Sequence, residues 1–183
     1  TFFEAFDKVS LKGGYFLDYC YTGPDEGTFA SSPDIFARNA GLLHLTLATD
    51  EADVVKEPVY AALEFDKTPS GLFQLAVFHA VHDRFYLFAH ANYGDYQPIL
   101  NRRQFETILA EYSYKLKPEA LELLRRQEVR PRVVMTAPDS GRVTMLHFNR
   151  YKGFFWIRYL IDGGTVRNDA SEQIVWLPRT VKF

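Results

Sequence analysis

The sequence predicts an α+β fold: a curved, mostly antiparallel β-sheet of about seven to nine strands, built from two three-stranded meanders, with two central helices packed on it. A partly open barrel and a cone-like sheet gripping a helix are the two shapes that such a sheet would take. Three observations lead there. Aromatic residues make up 16% of the 183 residues, an excess suited to the pleated, half-buried surface of strands. Apolar residues alternate between turn signals in both halves of the chain. Between those halves, two stretches carry apolar residues at helical spacing behind recognisable helix starts.

The length suits one domain, 1–183, able to bury a sizeable core without a metal or disulfide. In chain order, "TFFEAFDKV" places Phe2, Phe3, Phe6 and Val9 near one helical stripe and reads as a short docking helix. The stretch "KGGYFLDYCYTGPDEG" alternates Tyr15, Leu17, Tyr19 and Tyr21 against Phe16, Asp18 and Cys20, a strand with an aromatic face. In "SSPDIFARNAG", Ser32 as N-cap, Pro33 at the first position and Gly41 as terminator predict a helix of one to two turns. A strand, "LLHLTLAT", and an acidic loop, "DEADVVKEP", follow.

From residue 59 the same order occurs twice, as meanders 59–92 and 130–162 separated by helices within 102–127. Each copy reads as a strand, a Pro-containing turn closed by Gly71 or Gly141, a strand of about ten residues, a tight turn and an aromatic strand. Matching the glycines sets Phe78 on Phe148, His79 on Asn149, Phe85 on Phe155 and Tyr86 on Trp156; duplication and shared hairpin geometry both account for this. Of the helices, "NRRQFETILAEYSY" opens with Asn101 and Gln104 at capping-box spacing, with Phe105, Ile108, Leu109 and Tyr112 on one stripe. "KPEALELLRRQ" has Pro118 and Glu119 in its first turn and Arg125 and Arg126 near its last. "DGGTVRND" turns the chain into a last strand, "SEQIVWLPRTVKF", which Pro178 ends or holds to an edge.

The histidines of "AVFHAVHDRFYLFAHANYGD" invite a metal reading. As a hairpin turning over His82, Asp83 and Arg84, the stretch puts His79 and His90 on opposite faces and His82 in the turn. Strand alternation then prevents them from chelating one ion, and no metal or other cofactor is expected. His79 remains on the more apolar face. In the second copy the three-residue loop of "RYKGF" places Gly153 in a left-handed bulge position. One face then carries Val143, Met145, His147, Phe155, Ile157 and Tyr159, and on the other Arg142 and Asp162 pair across strands. "APDSGRV" contains Asp-Ser-Gly but reads as a turn, and no phosphate-binding, dinucleotide, nucleophile-elbow or zinc-protease motif occurs. Cys20 is the only cysteine, which excludes an intrachain disulfide and a thiolate cluster.

The first functional reading is a soluble, non-enzymatic binding module that takes an apolar or aromatic small molecule, or a protein partner, between sheet and helices. Its candidate ligand-binding residues are Tyr86, Asn149, Trp156, Arg158 and Tyr159. The second is a hydrolase or isomerase with His79 or His147 as general base, oriented by Glu64 or Asp66. The third is nucleic-acid binding through residues 101–152, where 11 Lys/Arg stand against 6 Asp/Glu, Arg102, Arg103, Arg125, Arg126, Arg130 and Arg132 among them. A pI near 6.2 weighs against it and favours a solvated face complementary to the acidic residues 1–100. No apolar run is long enough to span a bilayer, and the chain opens on Thr1 without a signal-peptide pattern, so the sequence assigns no compartment.

Overall fold

A computed structural model of the protein describes residues 2–21, 33–39, 58–82 and 96–177. Its centre is an antiparallel sheet in which β7 (Ser140–Asn149) and β8 (Gly153–Asp162) form the middle and β9 (Thr165–Trp176) one edge. The other edge is split, because β5 (Gln97–Ile99) and β6 (Arg132–Ala137) both pair with β7 at different positions along it. The meander β6–β7–β8 is therefore present as the alternation predicts. Val143 stands opposite Tyr159, Met145 opposite Ile157 and His147 opposite Phe155, all on the expected face. Arg150–Lys152 close the hairpin, and Gly153 takes a φ of +107°, a conformation that disfavours any residue with a Cβ.

Four expectations are overturned. Among the described residues the sheet is open, neither closed nor strongly curled, and β9 and the β5/β6 edge do not bond to each other. The strand expected in the middle of the first meander is a helix, α1 (Pro69–Val81), and the aromatic strand expected after it lies outside the described residues. Thr68 caps α1 by accepting from the Gly71 N–H at 3.2 Å, and Pro69 fills the first turn, so the Thr-Pro-Ser-Gly stretch is a helix start and not a turn between strands. Leu72, Leu75, Ala76 and Phe78 are fully buried, and a helix this apolar all round is a core helix. Third, Pro33–Asn39 is a strand, β3, and pairs with β2 (Tyr15–Tyr21) from Tyr15↔Asn39 to Tyr21↔Pro33. Pairing with β2 outweighs the local Ser-Pro helix signal, and it lets the buried Arg38 guanidinium meet Asp18 at 2.7 Å. Fourth, Arg142 lies opposite Leu160 and Asp162 opposite Thr165, so those two charges do not face each other.

The remaining elements agree with the pattern. The short 3-10 helix Phe2–Ala5 docks as expected, with Phe3 stacked on Phe78 at 5.7 Å and Phe6 edge-on at 6.1 Å. β1 (Val9–Leu11) pairs with β4 (Leu63–Phe65) just ahead of α1. In α2 (Arg102–Tyr112), the Asn101 side chain accepts from Gln104 N–H at 2.9 Å, and Gln104 Oε1 accepts from Leu100 N–H at 2.9 Å. The box forms with its return bond one residue before the cap. α3 (Pro118–Arg125) follows, with Leu124 fully buried. β9 starts at Thr165, immediately after the two-residue turn Gly163–Gly164, and so is longer than predicted. The predicted strand at 42–49 and Pro178 lie outside the described residues.

Helices cover both faces of the sheet. Val143, Met145, Phe155, Ile157, Tyr159 and Ile161 pack on α1. Leu146, Phe148, Phe154 and Val175 pack on Phe105, Ile108, Leu109 and Tyr112 of α2 and on Leu124 of α3. β7 records this layering: it alternates buried and exposed over Gly141–Val143, then is buried without a break from Met145 to Asn149, where helices lie on both sides.

Candidate functional site

The two histidines proposed as bases converge, although by a route that the sequence reading did not foresee. His79 projects from α1 and His147 from β7, and both meet Tyr159 of β8. The His79 and Tyr159 rings sit edge-on with centroids 5.7 Å apart, while the Tyr159 hydroxyl lies 3.0 Å from His147 Nε2. His147 is fully buried. Its Nδ1 lies 2.9 Å from the Tyr96 carbonyl oxygen, which can only accept, so Nδ1 carries the proton and Nε2 accepts from the Tyr159 hydroxyl. Both ring nitrogens of a neutral imidazole are thereby engaged, an arrangement suited to holding the β5–β7–β8 junction. His79 Nδ1 shares a hydrogen bond with the Tyr60 hydroxyl. Because residues 69–81 are helical, His79 and His82 are neighbours, their rings 6.0 Å apart and His82 Nδ1–H donating to the His79 carbonyl at 3.1 Å. The strand-alternation argument that separated them does not apply. Among the described residues, no three His, Cys, Asp or Glu side chains are grouped as metal ligands.

The carboxylates meant to orient a histidine stand elsewhere. Glu64 is exposed on β4, Asp66 pairs with Lys8 at 3.2 Å, and both line a recess with Phe6–Ser10. Of the ligand-binding candidates, Asn149 is fully buried, and its Oδ1 accepts from the N–H groups of Tyr151 and Lys152, each at 2.9 Å, which shapes the hairpin tip. Trp156 is half-buried; its Nε1–H donates to Gln127 at 3.4 Å and the Arg132 guanidinium lies 5.9 Å from the ring. Arg158 pairs with Asp169 at 2.5 Å on the sheet surface. Tyr159 is the buried partner of His147, and Tyr86 lies outside the described residues. The described candidates do not share one face of the sheet: Tyr159 faces α1, whereas Trp156 and Arg158 face the opposite way. Four arginines of the basic stretch 101–152 are paired within it, Arg102 with Glu106, Arg125 and Arg126 with Glu122, and Arg132 with Glu128.

A different feature holds open space. Trp176, at the end of β9, is 70% exposed and forms a shared wall of two mainly apolar recesses. One, of about 480 Å³, runs between α3 and β9 along Ala120, Leu123, Ile174 and Val175, with Lys115, Lys117 and Glu119 at its rim. The other, of about 330 Å³, lies among Tyr96, Tyr151, Lys152, Phe155 and Leu177. The ladder explains why this indole is left bare: its cross-strand partner is Gly153, which offers no side chain to pack on it. A Cβ at Gly153 would meet the Val175 carbonyl oxygen at 2.0 Å, so the position excludes larger residues. Leu123, 45% exposed, and Tyr151, 52% exposed, extend the apolar surface on either side.

Three ammonium groups border these recesses. Lys115 Nζ lies over the rings of Tyr112 and Tyr114 at 5.4 and 5.6 Å, and Lys152 Nζ over Tyr96 at 5.2 Å. Among the described residues neither they nor Lys117 form an ion pair. The sequence reading missed this site; its one legible trace is an apolar Ile-Val-Trp-Leu run closing the last strand. Among the described residues, no helix is long and apolar enough to cross a membrane. Comparison of the chain with protein-family models, curated proteins and solved structures finds no match in any of the three.

Proposed function

We propose that this domain is a non-enzymatic binding module, whose site is the pair of recesses on either side of Trp176, at the seam of α3 and the sheet edge. The observation that carries the reading is an indole 70% exposed between two apolar hollows of about 480 and 330 Å³. Large aromatic side chains are strong contributors at binding surfaces, and concave apolar hollows are where ligands lose water most favourably. Among the described residues, two apolar cores fill the space between the sheet and α1 and between the sheet and α2, and the seam beside Trp176 holds open space.

Titration with the neutral apolar fluorophore N-phenyl-1-naphthylamine tests the reading. Bound dye fluorescence is expected for the parent protein and its loss in Trp176→Ala and in Leu123→Ser. Equal dye binding by the parent and both variants removes the reading. The hydrolase or isomerase alternative draws on the bond between His79 and Tyr60. Glu64 and Asp66, which would have to orient the imidazole, lie with β1 and β4 at another recess, so the geometry favours binding.

A further inference from the structure

We propose that the occupant of the Trp176 site is an acidic peptide segment that drops one apolar side chain into each recess; this rests on the binding reading above and specifies its ligand. Three features support it. The hollows lie on both sides of one ridge and are open to solvent, a shape that encloses two separate side chains better than one compact molecule. The rim carries Lys115, Lys117 and Lys152 against the single carboxylate of Glu119, and the first three have no ion-pair partner among the described residues. Glu119 is already placed at the positive end of α3, where the helix dipole favours it. Ammonium groups without a carboxylate partner around an apolar hollow select a ligand with carboxylates flanking its apolar anchors, since charge complementarity chooses partners and rejects those of like sign.

A membrane surface shares the taste for aromatic and lysine side chains, but inserts convex apolar tips into the interface. Here the apolar surface lines recesses, which a bilayer cannot fill and a peptide side chain can. The long edge of β9 is a poor site for another copy of the chain. Its ladder with β8 shifts register at Phe154/Phe155 and at Arg158/Tyr159, and bulges of this kind discourage edge pairing.

Fluorescence anisotropy with a labelled, capped peptide of Glu and Asp residues carrying two leucines tests the proposal. Two companions complete the set: one with every acidic residue replaced by lysine, the other with both leucines replaced by serine. The acidic leucine peptide is expected to bind, with each companion weaker by about tenfold or more. The variant Lys115→Gln/Lys117→Gln is expected to weaken the acidic peptide by about tenfold and to narrow its advantage over the basic peptide. Equal binding of the acidic and basic peptides overturns the proposal, as does binding to phosphatidylserine vesicles in place of the peptide. Failure of all three peptides with Trp176-dependent dye binding retained overturns the peptide proposal alone. Loss of that dye dependence as well overturns the binding reading beneath it.

Discussion

Buried polar side chains in this protein are held by specific partners, and each partner is a point of test. Tyr159→Phe removes the hydroxyl that donates to His147 Nε2 while keeping the ring on α1, so it is expected to lower stability by about 1–2 kcal/mol in urea denaturation. Asn149→Ala removes the acceptor of two turn N–H groups, and a loss of about 1–3 kcal/mol is expected. Tyr112 gives a pH test. Burial raises its phenol above the ordinary 10.0; the Arg150 charge partly opposes this and Glu111 adds to it. The folded phenol keeps its proton where the unfolded one has lost it. The stability that this confers is complete below pH 10.0 and declines as pH rises toward the folded value. The urea midpoint of the parent protein is thus expected to fall above pH 10.0, and that of Tyr112→Phe to fall less. Alternation along residues 143–159 made the face of His147 and Tyr159 legible in the sequence. The partners of Asn149 were not legible, because they are backbone groups of a turn.

The elements that the sequence misassigned are those where tertiary packing outweighed local signals. Residues 69–81 form a run apolar on all sides, and periodicity alone cannot separate a buried helix from a buried strand. Its length and the Thr68-Pro69 start were the deciding signals, and Gly71 misled because glycine is ordinarily a turn residue. The reason for Gly71 is close approach: a Cβ there would lie 1.8 Å from the Asp66 carbonyl oxygen. Alanine gains about 1 kcal/mol over glycine in a helix, but overpacking against rigid backbone costs about 3 kcal/mol, so Gly71→Ala is expected to lose about 2 kcal/mol net. Unchanged or raised thermal stability would contradict that contact. By comparison α2 was legible down to its cap, because Asn101, Gln104 and a clean amphipathic stripe agree with one another.

For the whole molecule, the sequence predicted the α+β class and the central meander, but not an open sheet sandwiched between helices. That arrangement depends on α1 covering one face while α2 and α3 cover the other, and on β5 and β6 sharing one edge of β7. The candidate site was hidden for the same reason. Trp176 is bare because β9 runs to Gly153 in the ladder, and its recesses are completed by α3 and the Arg150–Lys152 hairpin, contacts between segments distant in sequence. The most direct test is mapping amide chemical shifts of the isotopically labelled protein during titration with the acidic leucine peptide. Perturbations are expected to cluster at Lys115–Leu123, Tyr151–Gly153 and Ile174–Leu177. Perturbations centred instead on Tyr60, His79 and Tyr159, with the Trp176 region unmoved, would contradict that placement of the site.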